Sequence, residues 1–207
     1  AKIAPVKTDV VYICIGTNTE NAFARRMRTD YNADVIYFDY KEDAARIASI
    51  VAQTKENYKQ VIIGVHGYAR APANNFGISK NAVDLVTLLQ QKTKSITFVF
   101  GNPYAIRNWC DAKNLVACYE DDSIIHNVAI DLLQGKIAAR GKLPVTVCDK
   151  FKFGTGINYA ALSPIDPAKL TLDANKLAFS IDAIAEDAIA KGAAPGAVVL
   201  VEKDGKI

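Results

Sequence analysis

The stretch that most constrains the fold is residues 95–108, SITFVFGNPYAIRN. It opens as a short apolar run, 96–100, rich in β-branched and aromatic side chains, and turns sharply at Gly101, Asn102 and Pro103. A buried strand ends this way when its chain climbs out at the edge of a sheet and starts a crossover. In open parallel sheets, ligands and partners sit just beyond such strand ends. This rim offers Asn102, Tyr104, Arg107 and Asn108, with no acid and no nucleophile beside a base.

The same grammar repeats along the chain. Apolar runs at 8–15, 34–38, 60–66 and 114–119 read as further strands. Between them lie helical patterns over 20–29, 41–57 and 79–91, and another opens at Asp121, Asp122 or Ser123 and reaches Gln134. Phe23 and Met27 share a face of the first, which Asn18 or Thr19 would cap. Strands alternating with helices predict a doubly wound α/β sandwich with a mostly parallel sheet of five to six strands. The sixth, 143–147 (LPVTV), follows a short connection and begins at Pro144, which suits an antiparallel edge.

The sequence predicts three segments: 1–148 as the sandwich, 149–170 as a linker, and 171–207 as the start of another unit. In the last, 173–191 is an Ala-rich amphipathic pattern and 197–202 reads as a strand. Asp204-Gly205 is a hairpin turn signal with only two residues after it, so the chain reads as a fragment of a longer protein.

Half of the 207 residues are hydrophobic, enough for one well-buried core. The net charge of +3 is scattered, and Arg25, Arg26 and Arg28 read as a solvated helix face. No basic stripe with interleaved aromatics points to nucleic acid, and no run has the length and apolarity of a membrane span. Cys14, Cys110, Cys118 and Cys148 form no paired spacing, and all four read as structural thiols with no metal role. No cofactor motif appears: Gly16 stands alone in GTNTEN, and no G-x-S-x-G elbow accompanies His66-Gly67.

The third-strand loop, 67–77, is polar and punctuated by Gly and Pro. Together with the fourth-strand turn it supplies the candidate rim: His66, Tyr68, Arg70, Asn74, Asn75, Asn102 and Tyr104. From Gly67 to Val83 there is no Asp or Glu, so a carboxylate-pair glycosidase would lack its proton donor there. His66 reads as a strand-end residue bonding locally, and His126 as a half-buried or solvated helix residue.

Taken in order, VFGNPYAIRN (99–108), LVACYE (115–120) and GKIAARGKLPVTV (135–147) resemble the C-terminal α/β-sandwich domain of glycoside hydrolase family 3. That resemblance implies a retaining exo-glycosidase whose aspartate nucleophile lies on a (β/α)8 barrel outside these residues. In the β-glucosidase branch the sandwich supplies an acid/base glutamate after its third strand. Its lack here resembles the β-N-acetylhexosaminidase branch, where a histidine on a barrel loop transfers the proton.

A second pattern, 172–207, is similar to the opening helix and strand of a β-lactamase-type serine hydrolase, without that family's S-x-x-K motif. The two resemblances imply a bacterial protein of the periplasm or cell surface. Its partners would be the barrel and the serine-hydrolase domain of one parent chain, with a carbohydrate substrate met only indirectly. No catalytic residue is expected within this chain. The other reading is a stand-alone carbohydrate- or nucleotide-binding module. It would use a crevice between the loops after the first and fourth strands, near Thr17, Asn18, Asn102 and Tyr104.

Overall fold

The computed structural model describes residues 9–161 and 173–193, with 199 and 201. Five strands form one parallel sheet: β1 (Val10–Ile15), β2 (Asp34–Phe38), β3 (Gln60–Val65), β4 (Ser95–Val99) and β5 (Leu115–Ala117). Their order is β2-β1-β3-β4-β5, so the winding reverses between β1 and β3. The crossovers are α1 (Ala22–Tyr31), α2 (Ala45–Asn57) and α3 (Lys80–Lys92), with a 3-10 turn (Pro103–Trp109) joining β4 to β5; α4 (Ser123–Leu133) follows β5. Helices α1 and α4 pack together on one face, and α2 and α3 on the other.

Strand alternation builds both layers. Val11, Ile13, Ile15, Val61, Ile63, Val65 and Val99 face α2 and α3. Tyr12, Cys14, Ile62, Phe98 and Phe100 face α1 and α4. The central strands β1, β3 and β4 are buried on both faces, as near-continuous apolar runs in a parallel sheet must be, while the edge strands β2 and β5 are largely half-buried. Side-chain caps set three crossover starts: Asn21 accepts from the Ala24 amide, Ser79 from Ala82, and Asp122 from Ile124 and Ile125. The first lies two or three residues beyond the expected Asn18 or Thr19, and α2 starts at Ala45 rather than near Lys41.

The sixth predicted strand does not join the sheet. Residues 139–147 instead meet the segment that follows them: Leu143 N donates to Thr155 O, Gly154 N to Leu143 O, Val147 N to Phe151 O, and Ala139 bridges Tyr159 antiparallel. Leu143, Val145, Val147 and Phe151 cover the α2–α3 layer. The segment satisfies its backbone by folding on itself, and its apolar side chains still find the core. A disulfide, Cys110–Cys148, pins this lap to the turn after β4. Those two cysteines are therefore not free thiols, contrary to the sequence reading; Cys14 and Cys118 are free and buried.

Helix α5 (Ala174–Ala190) begins at Asp173, whose side chain accepts from the Lys176 amide. The expected strand over 197–202 and the Asp204-Gly205 turn lie outside the described residues, except for the single positions 199 and 201.

Candidate functional site

The C-terminal edge of the sheet is assembled around His66, the residue after β3. Even-numbered positions of β3 point toward α1 and α4, so His66 enters the layer of Tyr12, Phe98 and Phe100. Gly64 lies two residues back on the same side and leaves a gap, which the Tyr12 ring fills. The Tyr12 hydroxyl meets His66 Nε2 at 2.6 Å. Phe100 stacks on the imidazole at 4.4 Å between ring centroids. His66 is 2 % exposed.

The other ring nitrogen leads out to the β5–α4 turn. His66 Nδ1 donates to Asp121 Oδ1 at 2.8 Å, and His126 Nε2 donates to the same oxygen at 2.7 Å. The Gly67 amide donates to Asp121 Oδ2 at 2.7 Å. One carboxylate thus gathers three donors, two from the end of β3 and one from α4. His126 is 5 % exposed, one of a buried α4 stripe with Ala129 and Ile130.

Burial alone would raise the Asp121 pKa. The hydrogen bonds from His126, His66 and Gly67 overcome it and hold the carboxyl well below its usual range. Burial pushes His66 below its ordinary value, against the nearby carboxylate, so the ring is neutral. This edge therefore holds an ionised aspartate between two imidazoles, with Tyr12 behind.

Both histidines depart from the sequence reading. His66 bonds across 55 positions of chain rather than locally, and His126 is buried rather than half-exposed. Asp121 is the residue missed. The available signal was spacing: 126, 129, 130 and 133 form one stripe at helical period, with a carboxylate just before the cap.

The rest of the candidate rim is knitted together. Tyr68 Oη donates to Asn102 O at 3.2 Å, and Asn102 Nδ2 donates to Arg70 O at 2.8 Å. Arg70 reaches Glu120 at 3.4 Å, so the loops after β3, β4 and β5 form one surface. Asn74, Asn75 and Phe76 all take left-handed backbone angles. Within that turn Asn74 is exposed, while Asn75 is bonded to Ile78 O and to Asn108. Tyr104 is exposed beside Asn102.

Thr17 and Asn18 follow β1, and Thr17 bonds to Thr19. Strand β3 lies between β1 and β4, so the loop carrying His66 and Gly67 separates these two from Asn102 and Tyr104. Gly16 itself stands against the chain at His66. Its φ is +90°, and a Cβ there would lie 2.2 Å from His66 O.

Tyr12 and Asp121 occupy both His66 nitrogens, which leaves the ring no face for a substrate proton. Burial pushes the Cys14 thiol up to about 12 and raises Cys118 further, so neither is a thiolate at neutral pH.

No protein-family model matches the chain, and no curated protein matches it. Among solved structures, one likeness is to a fungal multi-domain GH3 β-N-acetylglucosaminidase described as having a GCN5-related glucosamine N-acetyltransferase region. It has 20 % identity and a TM-score of 0.52 over 79 % of this chain and 18 % of that one. Another is to a glycoside hydrolase family 3 β-N-acetylglucosaminidase from Paenibacillus sp. str. FPU-7, at 17 % identity and a TM-score of 0.54 over 71 % of this chain and 29 % of that one. This chain spans less than a third of either enzyme, and at these identities the likeness is one of fold.

Proposed function

We propose that this chain is the sandwich domain of a family 3 glycoside hydrolase of the β-N-acetylhexosaminidase kind, a non-catalytic support for a barrel that carries the nucleophile. One observation carries the reading. The sheet edge presents hydrogen-bonding groups, while each of the three acids that the β5–α4 turn brings to it has a partner. Asp121 is held ionised by three donors, Asp122 caps α4 through the Ile124 and Ile125 amides, and Glu120 meets Arg70 in an exposed pair. A retaining glycosidase needs a carboxylic acid or another proton donor beside the scissile bond, and Asp121, the partly buried carboxylate of this edge, is held ionised.

The fold likeness to two β-N-acetylglucosaminidases supports this reading, as does the order of the motifs. FGNPY sits at the end of β4, LVACYE spans β5 and its turn, and GKLPVTV closes the core as the lap. Tyr104, Arg70 and Asn74 are the exposed groups that would face the barrel or its sugar. Residues from 172 onward would open a β-lactamase-like domain in the same parent, and the parent would work in the periplasm or at the cell surface. The disulfide suits such an oxidising compartment.

The test is an assay of the purified 207-residue chain on an aryl N-acetyl-β-glucosaminide, beside the protein encoded by the whole gene. The expected result is turnover by the whole protein and none by this chain. Turnover by this chain at a comparable rate would overturn the assignment, as would a reading frame with no barrel.

A further inference from the structure

We propose that His66, Asp121 and His126 form a binding site for a divalent zinc-class cation, which clamps the end of β3 to the start of α4. The chain has two histidines, and both aim a ring nitrogen at the same carboxylate oxygen. The three donor atoms lie within 4.8 Å of one another. Two imidazoles with one carboxylate suit zinc or cobalt(II), whereas calcium and magnesium take oxygen donors.

The surroundings match what a ligand set requires. A ligating histidine needs its second nitrogen held, and Tyr12 Oη holds His66 Nε2 at 2.6 Å. A phenol hydroxyl accepts as well as donates, so Tyr12 Oη can accept from a protonated Nε2, which frees Nδ1 for a cation. A ligating carboxylate needs its other oxygen held, and the Gly67 amide donates to Asp121 Oδ2. Phe100, stacked on His66 and edge-on to His126, supplies the apolar wall.

The geometry needs only a small opening. Nitrogen and oxygen donors bind zinc at about 2.0–2.2 Å, which sets neighbouring ligands about 3.3 Å apart. The present nitrogen–oxygen separations of 2.7 and 2.8 Å are those of hydrogen bonds. A tautomer shift in each ring, which moves the bridging proton from His66 Nδ1 to Nε2 and from His126 Nε2 to Nδ1, opens that space together with a turn of the Asp121 side chain. Asp121, 26 % exposed, gives the way in, and a water would complete a four-coordinate shell. His126 Nδ1, which would carry that ring's proton in the ligating state, is buried with no partner, so only the His66 ring has its second nitrogen held.

The test uses the full 207-residue chain, stripped with a chelator and titrated with cobalt(II) by visible absorption and with zinc by calorimetry. The expected result is one equivalent bound, weakened about tenfold or more in Asp121→Asn and His126→Gln and unchanged in Glu120→Gln. If either variant fails to fold, imidazole nitrogen NMR of the wild-type chain decides. With two histidines the spectrum holds two rings, and zinc should shift Nδ1 of His66 and Nε2 of His126. Absence of stoichiometric binding would overturn the site, as would binding that moves neither ring or ignores both substitutions.

Discussion

At Gly64 a Cβ would stand 2.2 Å from the Tyr12 hydroxyl oxygen and 2.6 Å from His66 Nε2. No rotamer of a rigid ring relieves that, so Gly64→Ala must displace Tyr12 or His66 from the layer they share with Phe23 and Phe100. Overpacking a filled core costs about 1–3 kcal/mol. The expected outcome is a loss of that size by urea unfolding. Gly141→Ala, where a Cβ meets nothing within 4 Å, should stay within about 0.5 kcal/mol of wild type. A neutral Gly64→Ala would mean that the Tyr12–His66 contact is not what fills the gap.

Among the elements, the clasp between α1 and α4 shows what a sequence hides. Arg26 donates to Asp131 at 2.9 Å, to Asn127 O at 3.1 Å and to Gln134 at 3.1 Å, and it pairs with Asp30 on its own helix. Only Arg25 and Arg28, both paired with Glu20, match the expected solvated face. Arg26→Ala should cost about 1–2 kcal/mol, since several bonds are lost together at a side chain that is only 21 % exposed. The effect should fade in acid. Hydrogen bonds from Thr29, and then from Arg26 and Gln134, hold the Asp30 pKa below its ordinary value, against some desolvation. A depressed carboxyl stabilises fully above its unfolded pKa of about 3.9 and loses that contribution as pH falls through the folded value. Urea midpoints of the two proteins should therefore converge below about pH 4, and a gap constant down to pH 2 would refute the clasp.

Apolar runs and caps carried the strand–helix alternation, because each is written locally, as at Ser79 and Asp173. Arg26, His66 and Asp121 were hard to read for one reason: each makes its long-range bonds to another element. The fate of 143–147 was hidden for a related one. Its composition suits a strand, but whether an edge is within reach depends on the length of the turn before it.

For the whole molecule, the lap at 139–159 closes the α2–α3 layer with few hydrogen bonds to the sheet, and the Cys110–Cys148 disulfide is what ties it down. The bridge spans 38 residues of chain. Closing a loop of that size in the unfolded state contributes about 3–4 kcal/mol in the chain-entropy picture. Cys148→Ser combined with Cys110→Ser should therefore lower stability by about 2–4 kcal/mol. Reductant should do the same to the wild type and leave the double variant unmoved. Thiol titration of the unfolded chain should count two groups before reduction and four after it, since Cys14 and Cys118 are free. Four groups without reductant, from protein purified under oxidising conditions, would remove the bridge and with it the support it gives to an envelope location. Two groups, with reductant lowering the wild-type midpoint alone, would make the lap a part of the fold that depends on an oxidising compartment.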